Sequence, residues 1–239
     1  MTTRNIFIPV ISFVFLSILI GWYIIQNNQK SNMELNKNSK DEISYIAIGD
    51  SYTIGLGVSA DHRWPNILTG NLRQAGIKIN LITNPSVSGY TVRDAIELEL
   101  PVVEKLKPDF VTVLIGANDN FGQEDVGLFG KELEELLNKL QSILTNSKNI
   151  VLITIPDYSK SPSLKGYQTR DVSILIKEYN QVIKNEASKR GLTVADIFPI
   201  SQTMTSDEDY ISDGLHPSAK GYAKWEKVIF PVVFKLLKR

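Results

Sequence analysis

The sequence predicts an α/β protein: a three-layer sandwich with a central, mostly parallel five-stranded sheet, preceded by an N-terminal transmembrane helix. Three observations carry this expectation. Short apolar runs rich in β-branched residues alternate with longer stretches whose apolar residues recur at helical spacing, the pattern of strands joined by crossover helices. The short runs end in turn-forming residues, as strands buried on both faces do where they deliver a loop to the carboxyl edge of a sheet. Residues 6–25, finally, form a charge-free apolar run long enough to cross a bilayer.

The apolar run 6–25 follows a polar tail carrying Arg4. It is longer than the apolar core of a cleavable signal, about 7 to 15 residues, and no small-residue cleavage site follows Ile25, so an uncleaved anchor is expected. Residues 1–27 read as tail and membrane anchor. Residues 28–41, rich in Asn and Lys, read as a flexible stalk, and 42–239 as one folded domain.

Within that domain the run 45–48 is a buried strand that stops abruptly at Gly49-Asp50-Ser51. A helix over 64–75 closed by Gly76 and a strand over 77–83 follow, then the turn-rich loop Asn84-Pro85-Ser86-Val87-Ser88-Gly89. A helix over 92–106 leads to a β-branched third strand over 110–115, whose end carries Gly116-Ala117-Asn118-Asp119. Phe129, Leu133, Leu136, Leu137, Leu140 and Leu144 fall on one helical face and read as core. The fourth strand spans 150–155 and ends in Pro156-Asp157. The long loop 158–169 after it reads equally as a substrate lip or a surface excursion. Val172, Leu175, Ile176, Tyr179, Val182 and Ile183 mark another amphipathic helix, and 192–198 a fifth strand. A last helix from about Ser218 presents Tyr222, Trp225, Val228 and Ile229 to the core until Pro231, which is expected to kink or interrupt it.

Composition narrows the function. Twenty-six basic and 26 acidic side chains balance, so there is no basic excess to neutralise phosphates and no nucleic-acid partner is expected. The absence of cysteine excludes disulfides, thiolate catalysis and Cys-based zinc sites. No cofactor and no metal are expected. Gly55-Leu56-Gly57-Val58-Ser59-Ala60 matches a dinucleotide fingerprint in form, but it starts past the first turn, Pro65 soon interrupts, and no acid ends the second strand.

Ser51, at the end of a strand, is a candidate nucleophile, and a serine needs a base to take its proton and a group to orient that base. Of the two histidines, His62 sits in a polar stretch beside Arg63, Trp64 and Pro65 and reads as a surface residue. His216, in Asp213-Gly214-Leu215-His216-Pro217, has a carboxylate three residues before it. In a tight loop that spacing sets Asp213 against one imidazole nitrogen and leaves the other for the serine.

Four separated stretches, Gly49-Asp50-Ser51, Gly89, Gly116-Ala117-Asn118-Asp119 and Asp213-Gly214-Leu215-His216, resemble in order and context the four blocks of the SGNH hydrolases, also called the GDSL esterase/lipase family. The resemblance spans about residues 43 to 238. It implies the family's flavodoxin-like fold and a serine hydrolase that cleaves carboxylic esters through an acyl-enzyme. It further implies that Ser51, His216 and Asp213 act as nucleophile, base and orienting acid. The oxyanion hole it implies consists of the backbone N–H of Ser51, the backbone N–H of Gly89 and the side-chain amide of Asn118. Preaimed neutral donors of this kind stabilise developing negative charge without reorganising.

Two departures stand out: Tyr52 where leucine is usual, and Ser86 where glycine is frequent. The expected partners are a small-molecule, lipid or O-acylated glycan ester as substrate and the membrane through the N-terminal helix. The expected location is a single-pass membrane protein with an extracytoplasmic catalytic domain. Lys30, Lys37 and Lys40 behind the span run against that orientation by the positive-inside rule, which the commoner export arrangement of such domains outweighs. A catalytically inactive binding module on the same scaffold is the alternative, and the intact serine, acid and histidine argue against it.

Overall fold

The structure, a computed structural model, describes residues 42–122, 125–165 and 170–238. The expected anchor at 6–25 and stalk at 28–41 lie outside the described residues. Among the described residues no helix is long and apolar enough to cross a membrane.

Five strands, β1 (Ile43–Gly49), β2 (Ile79–Thr83), β3 (Phe110–Leu114), β4 (Ile150–Ile153) and β5 (Thr193–Ala195), form one sheet in the order β2-β1-β3-β4-β5. All four pairings are parallel. The central strands are buried on both faces, which is why they read as unbroken apolar runs: Tyr45, Ile46, Ala47 and Ile48 are inaccessible, as are Phe110 and Val111. Their buried polar atoms satisfy each other, the Tyr45 hydroxyl lying 2.7 Å from Thr112 Oγ1 across the β1–β3 pair.

Helices α1 (Ser51–Ile54) and α2 (Trp64–Gln74) follow β1. A helical segment then runs through α3 (Val92–Asp94), a π turn (Ala95–Glu99) and α4 (Leu100–Leu106). Short α5 (Ala117–Phe121) and long α6 (Val126–Ile143) follow β3, α7 (Arg170–Arg190) precedes β5, and α8 (Phe198–Gln202) and α9 (Ala219–Leu237) end the chain. Helices α2 and α9 pack together on one face of the sheet, while α3 to α4, α6 and α7 cover the other. The apolar stripe of α6 is core as its spacing predicts: Phe129, Leu133, Leu136, Leu137 and Leu140 are buried, and Phe129 meets Tyr179 of α7 at 4.5 Å between rings. Each such side chain contributes about 1.5 to 3 kcal/mol on burial. Strand order reverses at β1, so the carboxyl ends of β1 and β3 flank the crevice where sheets of this topology hold ligands.

Several elements differ from the sequence expectation. The segment 92–106 is not a uniform α-helix, because Pro101 lacks the N–H that an α-helix donates to the Glu97 carbonyl and its ring crowds that carbonyl. Strand β5 stops at Ala195, and Phe198 belongs to α8 instead. Thr154 Oγ1 accepts the N–H groups of Ile197 and Phe198, turning the chain out of the sheet. Of the two outcomes expected at Pro231, a kink or an interruption, the interruption does not occur, since the last helix runs on to Leu237. Pro231 and Lys227, whose carbonyl loses its helical partner, both lie on the exposed side of the helix. The loop after β4 is not a surface excursion in its first half: Tyr158, Ser159 and Ser161 are buried, and Asp157 accepts bonds from Ser159, Ser173 and Gln202.

Candidate active site

The site assembles at the carboxyl edge of the sheet from three loops and the turn before α9. β1 ends in Gly49, where a side chain has no room: an added Cβ would lie 2.3 Å from the Leu114 carbonyl oxygen and 2.2 Å from Thr53 Oγ1. That close approach of β1 to its neighbours seats the next two residues. Asp50 caps α1 by accepting the Tyr52 N–H at 2.9 Å, and Ser51 opens the helix with its side chain toward the crevice. The N–H of a first helical residue has no acceptor within its own helix. Neither the Ser51 nor the Gly89 N–H finds a backbone partner among the described residues.

His216 comes to Ser51 from 165 residues away: its Nε2 lies 2.8 Å from Ser51 Oγ, and its Nδ1 lies 2.6 Å from Asp213 Oδ2. The carboxylate fixes the tautomer. Burial raises the Asp213 pKa, but the N–H groups of Leu215 and His216 together with the imidazole outweigh it and hold the carboxyl below its ordinary value. An ionised carboxylate only accepts, so Nδ1 donates and, in the neutral ring, Nε2 is left to accept the Ser51 proton. His62, by contrast, is exposed and bonded to Ser59, away from the cavity.

A cavity of about 170 Å³ opens over Ser51, lined among others by Gly89, Asn118, Phe121, Tyr158, Leu215 and His216. Gly89 sits at φ 91°, a conformation that favours glycine, and nothing in the protein lies within 4 Å of where its Cβ would be. Gly89 is also one of the residues that line the cavity. Asn118 Nδ2 donates to the Tyr90 carbonyl at 2.8 Å and lies 3.4 Å from Asp50 Oδ2, so its amide stands between the second loop and the serine turn. All five sequence-predicted site residues, Ser51, Gly89, Asn118, Asp213 and His216, therefore meet in one place. The departure at Tyr52 has a local consequence: its ring packs 5.4 Å from the His216 imidazole and is backed by Trp225. The departure at Ser86 is buried, its Oγ 3.4 Å from the Ala47 carbonyl.

Of the acids that surround the serine turn, sequence reasoning named Asp50 and Asp119 without giving them a role and missed Glu99. Asp50 is buried, and burial, opposed by the Tyr52 N–H and reinforced by Asp119, pushes it up to about 7. Asp119 accepts the Val92 N–H at 3.1 Å, fastening the loop after β3 to the start of α3. Glu99 lies beneath Gly49 and accepts its N–H at 3.1 Å. The signal for Glu99 was available: Val92, Ala95, Ile96, Glu99, Leu100 and Val103 share one helical face, and only Glu99 is charged. Among the described residues no group of three or more His, Cys, Asp or Glu side chains is arranged to hold a metal ion.

Residues 47–224 match the model of the GDSL-like lipase/acylhydrolase family. An arylesterase of Vibrio mimicus is 27% identical over 187 residues, covering 77% of this chain and 84% of that protein. An acetylxylan esterase of Xylanibacter ruminicola is 24% identical over 220 residues, covering 80% of this chain and 43% of that protein. The crystal structure of a lipase/acylhydrolase from Enterococcus faecalis superimposes with a TM-score of 0.67 at 25% identity, covering 82% of this chain and 97% of that one.

Proposed function

The chain belongs to the GDSL-like lipase/acylhydrolase family and is an ester-hydrolysing enzyme, and from that premise we propose that Ser51, His216 and Asp213 are its catalytic residues. The observation that carries this reading is the unbroken relay from Asp213 through His216 to Ser51, at 2.6 and 2.8 Å, opening into a cavity. Ser51 Oγ attacks the ester carbonyl as His216 Nε2 takes its proton, and Asp213 steadies the imidazolium that forms. The carbonyl oxygen gains negative charge and is met by the N–H groups of Ser51 and Gly89 and by the Asn118 amide. His216 then hands its proton to the departing alcohol, leaving an acyl group on Ser51. Water, deprotonated by the same nitrogen, releases the acid and restores the serine.

The small cavity and its Phe121, Tyr158 and Leu215 walls support esters of short acyl chains. The arylesterase and acetylxylan esterase relatives support a small-molecule or O-acetylated substrate in the same way. The apolar run at 6–25 supports a membrane anchor, and the commoner export arrangement of such domains supports placing the domain outside the cytoplasm. A panel of p-nitrophenyl esters tests the substrate reading: kcat/KM is expected to fall at least tenfold between the four- and twelve-carbon acyl chains and to vanish in Ser51→Ala. A flat or rising series refutes the short-acyl pocket. Protease added to intact cells is expected to release the domain, and full protection until lysis refutes the outward orientation.

A further inference from the structure

We infer that Glu99 is a positioning residue, whose carboxyl joins the turn bearing Ser51 to the loop bearing Gly89 and so holds the two backbone donors of the oxyanion hole in register. The inference rests on the reading of Ser51 as nucleophile. Glu99 is inaccessible to solvent and closes the π turn, the one irregular stretch in an otherwise helical segment, and such turns cluster at functional sites. Its Oε2 accepts the N–H of Gly49, two residues before Ser51, at 3.1 Å. The same oxygen lies 3.5 Å from the hydroxyl of Ser86, three residues before Gly89. One carboxyl oxygen thus touches both chain segments that deliver an oxyanion N–H.

Packing alone does not call for an acid here. The stripe around position 99 is apolar, and a leucine would continue it, whereas the carboxyl is buried with Oε1 lacking any partner. Burying an unpartnered polar oxygen costs free energy that a purely structural position avoids. What the acid adds is an acceptor for the Gly49 N–H at the point where β1 leaves the sheet.

The carboxyl fulfils this role as the neutral acid. Burial, opposed by the Gly49 N–H, pushes its pKa up to about 8, helped by the nearby charges of Asp50 on the serine turn and Asp94 on its own segment. Helix α6, packed on the same segment, brings Glu132 and Glu135, both paired with Arg93. Above pH 8 Glu99 ionises and sets a negative charge behind the donors that must stabilise an oxyanion, which slows the reaction.

The test compares full-length wild type, Glu99→Gln and Glu99→Met for kcat and KM between pH 6 and 9.5, with thermal melts and fluorophosphonate labelling of Ser51. Wild type is expected to lose activity above pH 8. Glu99→Gln, which keeps an acceptor and cannot ionise, is expected to hold kcat within about threefold at pH 7 and to abolish the alkaline loss. Glu99→Met, folded, is expected to lower kcat at least tenfold with KM within twofold. An unchanged alkaline loss in Glu99→Gln overturns the inference, as does a folded Glu99→Met with normal kcat. Should Glu99→Met not fold, the Glu99→Gln profile decides. Wild type that fails to label at Ser51 refutes the nucleophile instead, so the two failures are distinguishable.

Discussion

The two halves of the site are built in opposite ways. The base side is local and partly open: Asp213 Oδ1 takes the N–H groups of Leu215 and His216, Oδ2 takes the imidazole, and the Asp213 side chain is 38% exposed. The turn is closed by the Ile211 N–H on the His216 carbonyl, and the bonds that orient the imidazole span only a few residues, although the Gly214 carbonyl also accepts the Ser163 N–H. The nucleophile side is buried and assembled from afar. Gly49 is held by Glu99, Asp50 faces Asn118, and Asn118 reaches the Tyr90 carbonyl, contacts that only the finished sheet brings together. The lesson is a division of labour: the base is oriented by hydrogen bonds within one short turn, and the acid-lined core fixes where the nucleophile and oxyanion donors stand.

The largest effects test whether the halves act as one unit. Ser51→Ala and His216→Ala are each expected to lower kcat about 10⁴- to 10⁶-fold, with the double variant little worse than either. Additive losses in steady-state kinetics would separate the halves and break the comparison. Next comes the orienting acid. Asp213→Ala is expected to cost about 10²- to 10⁴-fold in kcat, while its melting temperature stays near wild type because its contacts are local and half open. A large loss of stability would show the turn to be less local than the bonds that orient the imidazole imply.

On the buried side, Asn118→Ala is expected to lower kcat about 10²- to 10³-fold with KM little changed, since the amide strengthens its bond only as charge develops. It also loses the bond to the Tyr90 carbonyl, so here the melting temperature falls as well. A raised KM with normal kcat would reassign Asn118 to substrate binding. The smallest effect is a slope. Glu99 is raised to about 8 and Asp50 to about 7, so the native state binds more protons than the unfolded chain across the interval below those values. The stability they contribute is full below the unfolded carboxyl range and is lost as pH rises through about 8. Unfolding free energy is therefore expected to decline by a few kcal/mol, as an order of magnitude, between pH 5 and 8. Glu99→Gln should flatten the upper part of that decline, and a wild-type curve rising over the same interval would contradict the buried neutral acids.

The same division explains what was legible in the sequence. Asp213 and His216 sit three residues apart, so their pairing is written in the chain, and Ser51 and Asn118 announce themselves at the ends of apolar strands. The sheet was legible because its central strands are apolar on both faces. The frame around the nucleophile was not, because the contacts of Gly49 with Glu99 and of Ser86 with Glu99 join residues 50 and 13 positions apart. Pro101, in the middle of the segment read as one helix, signals an interruption there but not that it takes the form of a π turn. At β5 the turn depends on Thr154, a residue of another segment, which is why the strand was read three residues too far at its carboxyl end.

The account stands most directly on the identity of the nucleophile. Incubation of the full chain with a fluorophosphonate, followed by peptide mapping by mass spectrometry, is expected to give one phosphonyl group on Ser51 with complete loss of esterase activity. His216→Ala is expected to label far more slowly under the same conditions. An inactivated enzyme whose Ser51 peptide carries no added mass would contradict the account.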